Sequence, residues 1–150
     1  MTFHTYYINL ENDNVRNENT IKELKKTNLH YQRFSAIDGK IVDKDDLVER
    51  KIISNVCKHF CTDKMIGCGV SHITLYKHLQ KTDTNKFALI LEDDILVTEP
   101  NLDYNEEITK IVNTYNVSTP EWNIIRLHSI GLNMGSNAAY VVNMNHIHEL

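Results

Sequence analysis

The amino-acid sequence predicts an α/β domain with a mostly parallel central sheet. Three observations carry that expectation. Short β-prone segments alternate with longer stretches of helical periodicity. The run Phe87-Ala88-Leu89-Ile90-Leu91 is continuously apolar and too short for a typical helix, as suits a strand buried on both faces. With two prolines and five glycines in 150 residues, no linker stands out, so residues 1–150 are read as one domain with one core.

The elements follow in order. Thr5, Tyr6, Tyr7, Ile8, Asn9 and Leu10 make a first strand, closed by the polar run 11–14. Residues 15–26 read as a helix with Val15, Ile21 and Leu24 as its apolar stripe. Lys22, Lys25 and Lys26 sit in that pattern beside Glu23, which marks a solvated helix face. Residues 31–37 form a second strand, stopped by Asp38-Gly39, a turn signal because Gly accepts positive φ and Asp bonds its own backbone. The mixed, charged stretch 40–63 holds a short helix or two over the sheet edge. Residues 65–79 turn helical, with Ile66, Val70, Ile73 and Tyr76 on one face and Leu75 and Leu79 beside it. Gly67 and Gly69 near its start would let another backbone or a ligand approach closely. After the strand 87–91 comes a helix over 101–115, with Leu102, Ile108, Ile111, Val112 and Tyr115 apolar. Strands follow at 122–127 and 138–142, and the tail 145–150 starts as a helix.

Composition narrows the function. At 41% hydrophobic and 24% charged, this is an ordinary globular composition. A net charge of -4, with no clustered basic face, gives no reason to expect a nucleic-acid partner. No run approaches the roughly 18 to 20 apolar residues of a membrane span. The start, Met1, Thr2, Phe3 and His4, lacks a secretory signal pattern, so the expected place is the cytoplasm or the cytoplasmic face of a membrane. Three cysteines without such a signal favour reduced thiols. Cys57, His59, Cys61, Cys68 and His72 lie close together, but their irregular spacing argues against structural zinc.

The chemistry concentrates at Glu92-Asp93-Asp94, directly after the apolar strand. Three adjacent carboxylates repel one another and resist desolvation unless a cation or ordered donors stabilise them. In open α/β sheets, ligands bind beyond the carboxyl ends of the strands. Alternation sends Glu92 and Asp94 to one side and Asp93 to the other, so one pair would face a divalent metal while the middle residue faces water or a ribose. Mg2+ or Mn2+ suits oxygen ligands of this kind.

Four ordered blocks then carry a resemblance: Tyr7-Ile8-Asn9-Leu10, Phe34-Ser35-Ala36-Ile37-Asp38-Gly39, Ile66-Gly67-Cys68-Gly69-Val70-Ser71-His72 and Leu89-Ile90-Leu91-Glu92-Asp93-Asp94. Trp122-Asn123-Ile124-Ile125-Arg126-Leu127 and Gly135-Ser136-Asn137-Ala138-Ala139-Tyr140-Val141-Val142 look like two more. Together they resemble glycosyltransferase family 25, which includes the lipooligosaccharide and procollagen galactosyltransferases. The resemblance implies a GT-A-like α/β/α nucleotide-binding sandwich and a role of the lipopolysaccharide-biosynthesis kind. It implies a UDP-sugar donor, often UDP-galactose, and inverting transfer to a glycan or glycoconjugate hydroxyl. Glu92, Asp93 and Asp94 then form the catalytic acidic motif. Asp94 is its main metal ligand and Glu92 supports it, with Mn2+ as the expected cofactor and Mg2+ the alternative.

Donor-binding roles fall on six further residues. Asn9 and Leu10 line the nucleotide pocket. Arg16 either reaches phosphate or makes a surface salt bridge. Asp38 bonds the ribose or base, or only shapes its turn. Ser71 and His72 orient the donor or support the acidic loop, and Cys68 packs under that loop. Against the family pattern the chain is short on its C-terminal, acceptor side, and 128–134 looks abbreviated. The base that inversion requires is not evident. His128, His146 and His148 are candidates, with exposed surface histidines the preferred reading. Two alternatives to the transferase remain: a non-catalytic nucleotide-sugar or glycan-binding remnant, and a metal-dependent phosphohydrolase, which needs more ligands than the sequence offers.

Overall fold

The computed structural model describes residues 3–83, 85–119, 121–127 and 139–150. The elements are β1 (His4–Leu10), α1 (Asn14–Leu24), β2 (Tyr31–Ala36), α2 (Lys44–Glu49), α3 (Asn55–Phe60), α4 (Asp63–Thr82), β3 (Phe87–Glu92), α5 (Tyr104–Ser118), β4 (Ile124–Arg126) and β5 (Tyr140–Asn143). A single 3₁₀ turn, Ile147–Glu149, takes the place of the helix expected in the tail. Each α-helix starts where a side-chain oxygen caps its free N–H groups: Asp13, Asp43, Ser54, Thr62 and Asp103. These caps explain the boundaries. The last helix starts at Tyr104 rather than near 101 because Asp103 accepts from the Glu106 amide at 2.9 Å.

The sheet order is β2-β1-β3-β5-β4. Strand β1 runs parallel to both β2 and β3. Strand β5 is antiparallel to β3 and to β4, so β5 alone is reversed. The α/β class with a mostly parallel sheet is thus as expected. Strand β3 has one parallel neighbour, β1, and one antiparallel neighbour, β5. A continuous apolar run reports burial on both faces and says nothing of the direction of the neighbours. Leu89, Ile90 and Leu91 are fully buried, and burial of side chains this size stabilises by roughly 1.5–3 kcal/mol each.

Alternation along the strands divides the core in two. Tyr7, Leu89, Leu91 and Val141 pack with Leu24 of α1 and with Ile108 and Val112 of α5. Tyr6, Ile8, Ala88, Ile90 and Val142 pack on the other face with Leu75 and Leu79 of α4. The result is a three-layer α/β/α arrangement. Val15, expected in the stripe of α1, is 71% exposed, and Thr20 is buried beside Leu24 instead.

Short helices α2 and α3 pack around a satellite core of Leu47, Ile66 and Val70, with Cys57 and Cys61 against it. Those two cysteines are paired as a disulfide, which corrects the expectation of reduced thiols. Their four-residue spacing on α3 and its cap places the Cα atoms 4.8 Å apart, inside the range a disulfide needs.

Candidate functional site

Strand order reverses at β1. The chain leaves β1 for β2 on one side and returns to β3 on the other. Such a switch point leaves a crevice beyond the carboxyl ends of the strands. Here it is a cleft of about 350 Å3. Asn9, Leu10, Arg16, Asp38, Ser71, His72, Glu92 and Asp93 all line it. These are the residues singled out from the sequence, Asp94 excepted. They come from β1, α1, the turn after β2, α4 and the end of β3.

One wall depends on the glycines. A Cβ on Gly39 would lie 1.8 Å from the Asp63 carbonyl oxygen, and one on Gly67 would lie 2.6 Å from the Gly39 nitrogen. The turn after β2 therefore touches the first turn of α4 backbone to backbone. Ser71 stitches this seam: its hydroxyl donates to the Gly67 carbonyl at 2.6 Å and accepts from the Ile37 amide at 2.8 Å. Asp38 shapes the turn, accepting from the Lys40 amide at 2.9 Å, and also borders the cleft. Gly69, expected to serve the same close approach, has open space where its Cβ would be.

The acidic triplet spans the two faces of the sheet. Asp93 turns toward α1. Its carboxylate takes the Arg16 guanidinium at 2.8 Å and the Asn9 amide N–H at 2.7 Å. Its backbone carbonyl is 2.9 Å from the Thr20 hydroxyl. Asp94 turns the same way, with Arg16 Nη2 at 3.4 Å from its carboxylate. Glu92 alone faces α4, with Cys68 Sγ at 3.8 Å and His72 Nε2 at 3.6 Å from Oε1. The expected pairing of Glu92 with Asp94 on one side is not found. Strand alternation ends at Glu92, and Asp93 and Asp94 already form a turn. Leu10 contributes its backbone: its carbonyl accepts from Arg33 at 2.9 Å and from the Asp13 amide at 3.0 Å.

Behind Glu92 runs a polar chain. His72 Nδ1 lies 2.5 Å from the Tyr140 hydroxyl, which lies 2.8 Å from that of Tyr76. The facing His72 imidazole holds the Glu92 carboxyl below its usual range, while burial pulls the other way. Burial, then the nearby Tyr76 hydroxyl, pushes the Tyr140 phenol far up, so it stays protonated. Cys68 is exposed rather than packed under the loop. Partial burial of its thiol and the Glu92 carboxylate beside it push that thiol up.

Tyr76 and Tyr140 were not singled out from the sequence. One signal was available: Cys68, His72 and Tyr76 are spaced by four residues, which on a helix makes one row. Tyr140 had no such signal, because its approach depends on where β5 joins the sheet. His128 lies outside the described residues, as do residues 135–138 of the last block. His146 and His148 lie near Glu149, in and beside the 3₁₀ turn.

Two observations bear on whether a divalent cation fits. The donor set is hard carboxylate oxygen, which suits Mn2+ or Mg2+. Asp93 and Asp94, two carboxylates, share the one Arg16 guanidinium. Asn9 adds a further polar atom. Its side chain is buried and its Oδ1 has no hydrogen-bond partner among the described residues.

Fold and site together define an α/β protein with a cleft at a sheet switch point and an acidic strand end inside it. Glycosyltransferase family 25 (LPS biosynthesis protein) matches residues 2–147, and the chain belongs to that family. It is similar to a Haemophilus influenzae protein named "Putative glycosyltransferase", at 29% identity over 96 residues. That match covers 64% of this chain and 34% of the relative, so it spans about a third of the relative's length. Among the described residues, no helix is long and apolar enough to cross a membrane.

Proposed function

We propose that this chain is a glycosyltransferase that moves a sugar, galactose above all, from a UDP-sugar to a hydroxyl of a glycan or glycoconjugate, with inversion and with the help of a divalent metal. The observation that carries the reading is convergence. Residues far apart in a family 25 chain meet on one cleft that ends in three carboxylates.

Mn2+, with Mg2+ as the alternative, would be held by Asp94 on the α1 side, and Glu92, which faces α4, would support it only by turning away from His72. When bound it would neutralise charge that develops on the departing diphosphate. The protein's own residues do the rest. Arg16 fixes Asp93 and Asp94 in place and offers a guanidinium edge to phosphate oxygens. Asn9 is held by its N–H bond to Asp93, which leaves Oδ1 to accept from a donor hydroxyl or base. Asp38 and the backbone of Leu10 border the nucleotide end of the cleft, and His72 sets the position and charge of Glu92.

A second reading, a nucleotide-sugar binder without transfer, is favoured by one finding. Arg16, Asn9 and His72 hold the three carboxylates together without help from any metal. The triplet therefore does not by itself require one.

Calorimetric titration of UDP-galactose, with and without Mn2+, separates the two. Metal-dependent binding that Asp94→Ala weakens at least tenfold supports the transferase. Binding indifferent to metal and to Asp94→Ala supports the binder. No binding of UDP-galactose, UDP-glucose or another nucleotide sugar to a folded sample removes both.

A further inference from the structure

We infer that Cys68, His72 and Glu92 form a site for a borderline-soft divalent cation, Zn2+ above all, on the α4 side of the cleft. The inference goes beyond the proposed transfer reaction and does not depend on it, because it stands on three side chains and a bare ion.

Geometry comes first. One ligand atom from each residue lies within 4.8 Å of the other two. Glu92 Oε1 is 3.6 Å from His72 Nε2 and 3.8 Å from Cys68 Sγ. Ligands around a tetrahedral zinc, with bonds of about 2.0 to 2.3 Å, sit roughly 3.3 to 3.8 Å apart. The carboxylate is thus already close to the required distance from both partners. Cys68 and His72 are one helical turn apart on α4, and Glu92 ends β3 opposite them.

Chemistry comes second. A thiolate and an imidazole select zinc-like ions over Mg2+ or Mn2+, which prefer oxygen. On binding, Cys68 gives its proton to solvent and the metal takes the sulfur lone pair. His72 binds through neutral Nε2, and Glu92 is already ionised. No electron moves. Three protein ligands leave a fourth position, and all three residues line the cleft, so water or a ligand oxygen from the cleft completes the shell.

The third observation is the support behind His72. A ligating histidine almost always bonds through its other nitrogen, which fixes the ring. Here Nδ1 meets the Tyr140 hydroxyl at 2.5 Å, and Tyr76 in turn holds Tyr140. With Nε2 on the metal, Nδ1–H donates to Tyr140, and Tyr140 donates to Tyr76. Cys57 and Cys61 pair with each other and so do not compete while oxidised.

The test is a Co2+ titration of the full chain, read by absorption, followed by displacement with Zn2+. The expected result is one equivalent bound, a thiolate-to-cobalt charge-transfer band and the intense visible bands of a four-coordinate ion, all removed by Zn2+. Cys68→Ser abolishes the charge-transfer band. Tyr140→Phe keeps it but weakens binding about tenfold. Cys57→Ser with Cys61→Ser leaves it unchanged. Circular dichroism confirms that each sample is folded, and exposed Cys68 tolerates serine. A folded wild-type chain without the charge-transfer band overturns the site. So does a band that survives Cys68→Ser or is lost with Cys57 and Cys61. Loss of UDP-galactose binding would sink the donor reading while leaving this band in place.

Discussion

On the α1 bank of the cleft, Asp93 is gripped by a guanidinium that stays charged at any working pH. On the α4 bank, Glu92 faces the His72 imidazole at 3.6 Å. Two adjacent residues at one strand end thus have opposite kinds of support. The α1 bank is short-ranged and closed: Arg16, Asn9 and Thr20 meet one residue from three directions. The α4 bank is a line, from Glu92 through His72 and Tyr140 to Tyr76, with Cys68 open to the cleft. Fixed charge suits a residue that must hold position.

The strongest way to break this comparison is to push the banks apart. In Gly39→Ala the new methyl would meet the Asp63 carbonyl at the foot of α4, backbone against backbone. We expect a loss of about 3 kcal/mol in urea unfolding, with donor binding falling as well. An unchanged urea midpoint would mean that the seam yields easily.

Next in size, Asp93→Ala leaves the Arg16 guanidinium and the Asn9 amide without their shared partner. The expected cost is about 2 kcal/mol, and it should be the same at pH 6 and pH 8. Salt should change it little, because the Asp93 side chain is only 11% exposed. A cost that disappears in molar salt would show an ordinary surface pair and erase the contrast between the banks.

The smallest effect belongs to the α4 bank. Because the folded Glu92 carboxyl lies below its ordinary 4.5, its stabilising contribution is complete above that value. It is lost as the pH falls through the lowered folded value. His72→Gln returns Glu92 toward its ordinary value, so this limb of the stability curve flattens. The change should be less than about 1 kcal/mol for a half-buried contact as long as 3.6 Å. Glu92→Gln should flatten the same limb, and the double variant no further. Wild-type slopes in both single variants would show that the two side chains are not coupled.

The sequence made much of the frame legible, and the limits have physical causes. Strand β3 was plain because nothing else explains five consecutive apolar residues before three acids. Gly67 was read correctly as a close approach, since its missing Cβ is a local property. Gly69 looks identical in sequence, but its side of the helix faces open space, and only packing reveals that. The placement of Asp94 failed for a different reason. Period-two alternation holds only while the chain is extended, and the strand stopped two residues earlier than that reading assumed. Cys68 and Tyr76 were within reach from helical spacing. Their link to Tyr140 was not, because β5 is reversed and joins β3 from a distant part of the chain. The Cys57–Cys61 disulfide is hidden by the odd cysteine count, because only the four-residue spacing at the end of a helix brings those two Cα atoms within 4.8 Å.

The order of the strands has a further consequence, for how the molecule is made. Strand β1, made before both of its neighbours, is the middle of the sheet's parallel half, flanked by β2 and by β3. Thr5 must wait for Leu89 before its second edge is covered, whereas Tyr31, its partner on the first edge, arrives far sooner. A nascent chain can therefore build β1 against β2 early, but it keeps one edge of unpaired backbone N–H and C=O groups open until the acidic strand leaves the ribosome. The same event that closes that edge brings Asp93 to Asn9. Closure of β1 and birth of the cleft are one step, and β5 and β4 extend the sheet only afterwards.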